Sequence, residues 1–160
     1  MDCKPPVQVK TIPMEQLRPL LDEQLEYGEA LLPVTGNSMW PMLSGGRDLV
    51  RLARLERPVR PGDVALYRRS DGSYILHRVI RVKGGCVCCG DNQWERETVS
   101  RERMLAYVTA FCRKGRWRET ERSLAYRLYV RLWVGTFPLR RPLLKLLYLL
   151  RRVRSGRFLR

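Results

Sequence analysis

The chain has 160 residues and a single histidine, His77. A reaction that needs a general base working near neutral pH therefore has one ordinary candidate. His77 sits in Leu76-His77-Arg78-Val79, inside a β-branched and apolar run that reads as a strand, a rigid platform for aiming an imidazole. A serine hydroxyl is a weak nucleophile and needs such a base. Ser38 lies in Gly36-Asn37-Ser38-Met39-Trp40-Pro41-Met42-Leu43, just past the apolar run from Ala30 to Val34. A tight turn there can present both the hydroxyl and its own backbone N–H. A third segment, Gly90-Asp91-Asn92, offers a carboxylate that either orients the imidazole or caps its own turn. The plain alternatives are a turn serine and a hydrogen-bonded strand histidine. Spacing alone does not bring Ser38 to His77. Lys83 and Lys114 are the only lysines between residues 11 and 144, and neither has a comparable setting, which argues against a lysine base.

The elements that must position these residues are short. Residues 1–13 are polar, carry three prolines and read as an arm. Met14, Leu17, Leu20, Leu21 and Leu25 recur at helical spacing, predicting an amphipathic helix over 14–27 with Pro19 weakening its middle and Gly28 as a stop. Strands are predicted at 30–34, 48–55, 64–67, 74–82, 86–89 and 104–111. Ser70-Asp71-Gly72-Ser73 is a hairpin turn and Gly84-Gly85 another. Several turn-bounded short strands predict a mostly β core rather than alternating strand and helix. Residues 121–134 and 142–154 read as helices divided by Pro138 and Pro142. The predicted organisation is an N-terminal arm and helix over 1–29, a β domain over 30–112 and a basic, leucine-rich helical tail over 113–160.

Charge divides along the same line. Residues 1–112 hold 16 Lys and Arg against 14 Asp and Glu, whereas residues 113–160 hold 15 against 2. A block of one sign at one end implies an anionic contact. The leucines disfavour nucleic acid, because phosphate neutralisation needs no apolar surface. They fit an anionic membrane surface contacted by residues 121–160, or simple packing on the core. The leucine cluster is too short to span a bilayer. The N-terminus lacks the apolar centre of a secretory signal. The expectation is a cytoplasmic chain, peripheral to the membrane if the tail binds lipid. Cys3, Cys86, Cys88, Cys89 and Cys112 make an odd set, expected to stay reduced in that compartment. Cys86-Val87-Cys88-Cys89 has no second half-site, so it reads as small buried strand residues rather than a metal centre, and no cofactor is expected.

Taken in order, four boxes resemble a known family. Ser38-Met39-Trp40-Pro41-Met42-Leu43 is similar to the nucleophile box of signal peptidases, and Gly62-Asp63-Val64 to the step that follows it. His77-Arg78-Val79 resembles the general-base box, and Gly90-Asp91-Asn92 the acidic box. The resemblance covers residues 30–112. It is to the signal-peptidase and LexA-like serine peptidases, in the branch of the endoplasmic-reticulum enzymes where histidine replaces the more common lysine. It implies a signal-peptidase/LexA-like β domain cutting a leader-type segment of a protein or peptide substrate through an acyl-enzyme. It also implies Ser38 as nucleophile and oxyanion donor, His77 as base, and Asp91 as its supporting acid, with Glu97 or Glu95 as the other acid candidates. Met39, Trp40 and Pro41 are then candidates for the substrate cleft. The chain departs from signal peptidases in carrying Gly36 where many have a hydroxyl residue, and in showing no N-terminal anchor. A peptide-binding module of the same fold without turnover is the alternative. A domain that cuts its own chain is a weaker one, since no cleavage linker is evident.

Overall fold

A computed structural model describes residues 14–156; the arm at 1–13 and residues 157–160 lie outside the described residues. The protein is mostly β. Helix α1 (Met14–Glu26) leads into strands β1 (Glu29–Pro33), β2 (Leu49–Arg54), β3 (Val64–Arg68), β4 (Tyr74–Val82), β5 (Cys86–Cys89), β6 (Glu97–Val99), β7 (Met104–Arg113) and β8 (Arg116–Glu119). Helices α2 (Leu124–Gly135) and α3 (Arg140–Gly156) follow, joined by a short 3-10 turn. All strand pairs are antiparallel, in the order β1-β2-β7-β3-β4-β5-β6, with β8 added to β7.

Strand alternation builds two cores, one on each face of the sheet. Along β3, Val64 and Leu66 face a cluster with Leu21 and Leu25 of α1, Val50, Leu52, Val108 and Phe111. Ala65 and Tyr67 face the other way, with Val79, Cys86, Cys88 and Met104. Both faces are therefore covered, the reason β3 reads as an unbroken apolar run rather than an alternating one. Pro19 sits inside α1 without ending it. Leu21 and Leu25, one turn apart, are buried, while Leu20 points outward and is exposed.

Two features of the predicted organisation change. β6 and β8 have only three and four residues, too short to show a period, and were not anticipated. β8 lies within the span assigned to the tail, so the sheet continues past residue 112. The cysteines also differ from expectation. Cys112 is disulfide-bonded, whereas Cys86, Cys88 and Cys89 are free and buried on β5. Burial raises the pKa of each free thiol, that of Cys88 up to about 12, so none is a nucleophile at neutral pH.

Candidate active site

The loop after β1 holds Ser38. Met39, Met42 and Leu43 are sunk into the first core and fix the loop from below. Leu43 N donates to Met39 O at 2.9 Å and Trp40 N to Asn37 O at 3.1 Å, closing tight turns with Ser38 half-exposed between them. Past the turn, buried Asp48 accepts from Ser44 N at 2.8 Å and pairs with Arg47 at 2.6 Å. Gly45 lies against the returning chain so closely that an added Cβ would stand 2.2 Å from Thr35 O. The loop is thus pinned on both sides of the serine.

His77 is on β4, paired with Ala65 of β3. Side chains alternate along a strand, so His77 shares a face with Tyr67, two residues beyond Ala65, while Arg78 faces the opposite side. The Tyr67 hydroxyl lies 3.2 Å from His77 Nδ1 and donates its proton to Glu97 Oε1. Glu97 Oε1 is itself 3.4 Å from Nδ1. Arg69 grips the same carboxylate through Nε and an Nη at 2.6 and 2.7 Å. Because the Tyr67 proton is committed to Glu97, the tyrosine oxygen can only accept from the imidazole. Nδ1 therefore carries the hydrogen and Nε2 the lone pair.

Nε2 points toward Gly90. A Cβ added there would meet His77 Nε2 at 3.1 Å and the Ser38 backbone O at 2.6 Å, so the His77 ring and the Ser38 backbone converge on one point that only glycine leaves open. Among the described residues no direct hydrogen bond joins Ser38 to His77; such contacts often tighten only around substrate. Two bonds lock the loops to each other: Asn92 N donates to Ser38 O at 2.7 Å, and Asn92 Nδ2 to Asn37 O at 3.2 Å. Gly90→Ala should push these loops apart and cost at least about tenfold in kcat through misplacement alone. A steady-state assay beside a thermal melt checks this, the melt showing whether the fold survives.

The ionisation states suit a base. Burial lowers the His77 pKa and the charge of Arg69 adds to this, against an opposing pull from Glu97. Partial burial would raise the Glu97 pKa, but the Arg69 and Tyr67 bonds outweigh it and hold the carboxyl below its ordinary range. Burial and the bond to Glu97 raise the Tyr67 pKa, so its hydroxyl keeps its proton.

Asp91 is placed elsewhere than behind the imidazole. Its two oxygens accept from Arg78 Nε and an Nη at 2.7 and 2.6 Å, with both side chains fully buried. Arg78 also donates to Gly62 O and the Tyr126 hydroxyl, at 2.8 and 3.2 Å. Tyr129 donates to Asp91 Oδ2 at 3.1 Å, and Trp133 Nε1 to its carbonyl at 3.2 Å. Asp91 is thus the counter-ion of a buried arginine, and Glu97 takes the position beside Nδ1. Glu95 is exposed. Met39 is a correction as well: at 1% exposure it belongs to the core and cannot line a cleft. Trp40 and Pro41, joined by a cis peptide, remain partly exposed beside Ser38.

Sequence reasoning missed Tyr67 and Arg69. It also missed the helices' part in the site. Buried Arg140, at the start of α3, donates to Gly90 O, Gln93 O and Trp133 O at 3.0, 3.1 and 3.3 Å. Tyr148 stacks on Trp40 at 4.7 Å between ring centroids, and its hydroxyl donates to Asn92 Oδ1 at 2.9 Å. α2 and α3 therefore brace both loops of the site. Among the described residues no group of His, Cys, Asp and Glu is arranged to hold a metal ion. Compared with known proteins, the chain matches no family model and no curated sequence.

Proposed function

We propose that the chain is a serine endopeptidase with Ser38 as nucleophile and His77 as general base. The convergence of the Ser38 loop and the lone-pair nitrogen of His77 on Gly90 carries this reading. His77 Nε2 takes the Ser38 proton as Oγ attacks a peptide carbonyl, and the Ser38 N–H faces the developing oxyanion. The imidazolium returns its proton to the leaving amine, and water then releases the acyl group by the reverse sequence. Tyr67 and Glu97, held by Arg69, act as positioning residues: they fix the tautomer and offset the charge that forms on the ring. The substrate is a protein or peptide, and the family resemblance of the four boxes suggests an extended leader-type segment.

A fluorophosphonate probe tests the reading directly. The chain should be labelled, and neither Ser38→Ala nor His77→Ala should be. An unlabelled wild-type chain that still binds peptide would make it a binding module instead.

The pH dependence follows from the sign of the His77 shift. The neutral imidazole is the active form and burial favours it, so activity should rise with pH through a midpoint below the usual ~6.5 and level off above it. Glu97→Gln removes the group that pulls this pKa upward, so the midpoint should fall further. A kcat/KM profile that is flat from about pH 5 to 9 in the wild type would reject His77 as the base.

A further inference from the structure

We propose that the outer faces of α2 and α3 are a docking surface for an anionic lipid bilayer. On α2, Leu124, Leu128 and Leu132 stand one turn apart along a single row, and all three are more than half exposed. On α3, Leu146, Leu149 and Leu150 form a second row, again each more than half exposed. The inner faces of both helices are already taken. Tyr126 and Trp133 of α2, and Arg140 and Leu144 of α3, are buried, Tyr126 in the first core and Trp133 and Arg140 bonded to the loop after β5. The exposed leucines are therefore not the packing face of helices waiting for the core.

Charge says what covers them. Exposed Arg127 and Arg131 flank the first row, and Arg141, Lys145 and Arg151 flank the second. The chain has no acidic residue after Glu121. A second copy would bring the same positive charge to the contact and repel it. An acidic protein would meet the arginines but not two separate leucine rows. A bilayer containing anionic lipid meets both needs, apolar depth for the leucines and headgroup phosphates for the basic residues. No helix among the described residues is long and apolar enough to cross a membrane, so the contact lies in the interface. Through Tyr148 the same α3 touches Trp40 and Asn92, so docking would hold the site mouth close to the lipid surface.

The inference does not depend on the peptidase reading, and its test uses no substrate. Full-length chain carrying Ser38→Ala is sedimented with vesicles of phosphatidylcholine alone and of phosphatidylcholine mixed with phosphatidylglycerol. It should pellet with the mixed vesicles at low salt and release at high salt. Adding Leu128→Glu and Leu149→Glu, both exposed and outside the fold's packing, should lower the partition coefficient more than about tenfold with an unchanged thermal melt. Three results would overturn the proposal: no binding to mixed vesicles, equal binding with the two leucines replaced, or equal binding to phosphatidylcholine alone. A chain that is dimeric by light scattering and becomes monomeric on the same two substitutions would also overturn it, giving the rows to a second copy.

Discussion

Ser38→Ala and His77→Ala should each reduce kcat by roughly three to six orders of magnitude, and the double substitution should cost little more than either alone. The two groups serve one event. Without His77 the serine proton has no acceptor, and without Ser38 the imidazole has no proton to take. Tyr67→Phe is the informative contrast. It leaves the nucleophile and base in place and removes only the hydroxyl between Nδ1 and Glu97. The expected loss is roughly tenfold to a hundredfold in kcat, with KM nearly unchanged, because an imidazole free to adopt either tautomer holds the wrong one part of the time. Single-turnover kinetics on the three variants, with a common peptide substrate, check the order. A double variant far worse than either single one would mean that the residues act independently, against the dyad.

Arg78→Ala should destabilise the fold by roughly 3–5 kcal/mol, since it strands the Asp91 carboxylate in a site closed to water. For a chain of this length that corresponds to a fall in Tm of roughly 10 °C. Arg78→Met combined with Asp91→Leu removes both charges together and should recover much of the loss. Differential scanning calorimetry on the singles and the double gives the coupling. The same measurement separates the two acids. Asp91→Asn should act on Tm, whereas Glu97→Gln should act on the pH profile, because Glu97 is part-exposed and its ion pair with Arg69 contributes little to stability. If Asp91→Asn left the melt unchanged and moved the pH midpoint instead, the assignment of these carboxylates would be reversed.

The difference between the two acids explains what the sequence could and could not convey. Ser38 and His77 stood out by residue type, by the uniqueness of the histidine and by the order of the boxes around them. Gly90-Asp91-Asn92 belongs beside them, but which carboxylate reaches the imidazole depends on the face each side chain takes. Consecutive residues on β4 point to opposite faces, so one step along the strand separates the partner of Glu97 from the partner of Asp91. The hairpin carried a usable signal. With its turn at Ser70–Ser73, Tyr67 falls opposite Ile75 and Ala65 opposite His77, placing Tyr67 on the histidine's face. The helices at the C-terminal end were legible as helices from their spacing. Their docking was not, because Arg140 and Tyr148 look like any other members of a basic, aromatic-bearing segment. Only the fold shows that one of those arginines is buried among carbonyl groups.

The stacking of Tyr148 on Trp40 joins the loop between β1 and β2 to α3, which follows every strand in sequence. Such a contact cannot form on a ribosome until α3 has emerged. The β strands can pair earlier, since their partners are made first, with Ser38 and His77 already present in the growing polypeptide. The brace on the Ser38 and Gly90 loops arrives only after the strands are made. Synthesis therefore imposes an order of events in which the strand scaffold precedes the finished cleft, and α3, made after every strand, completes it.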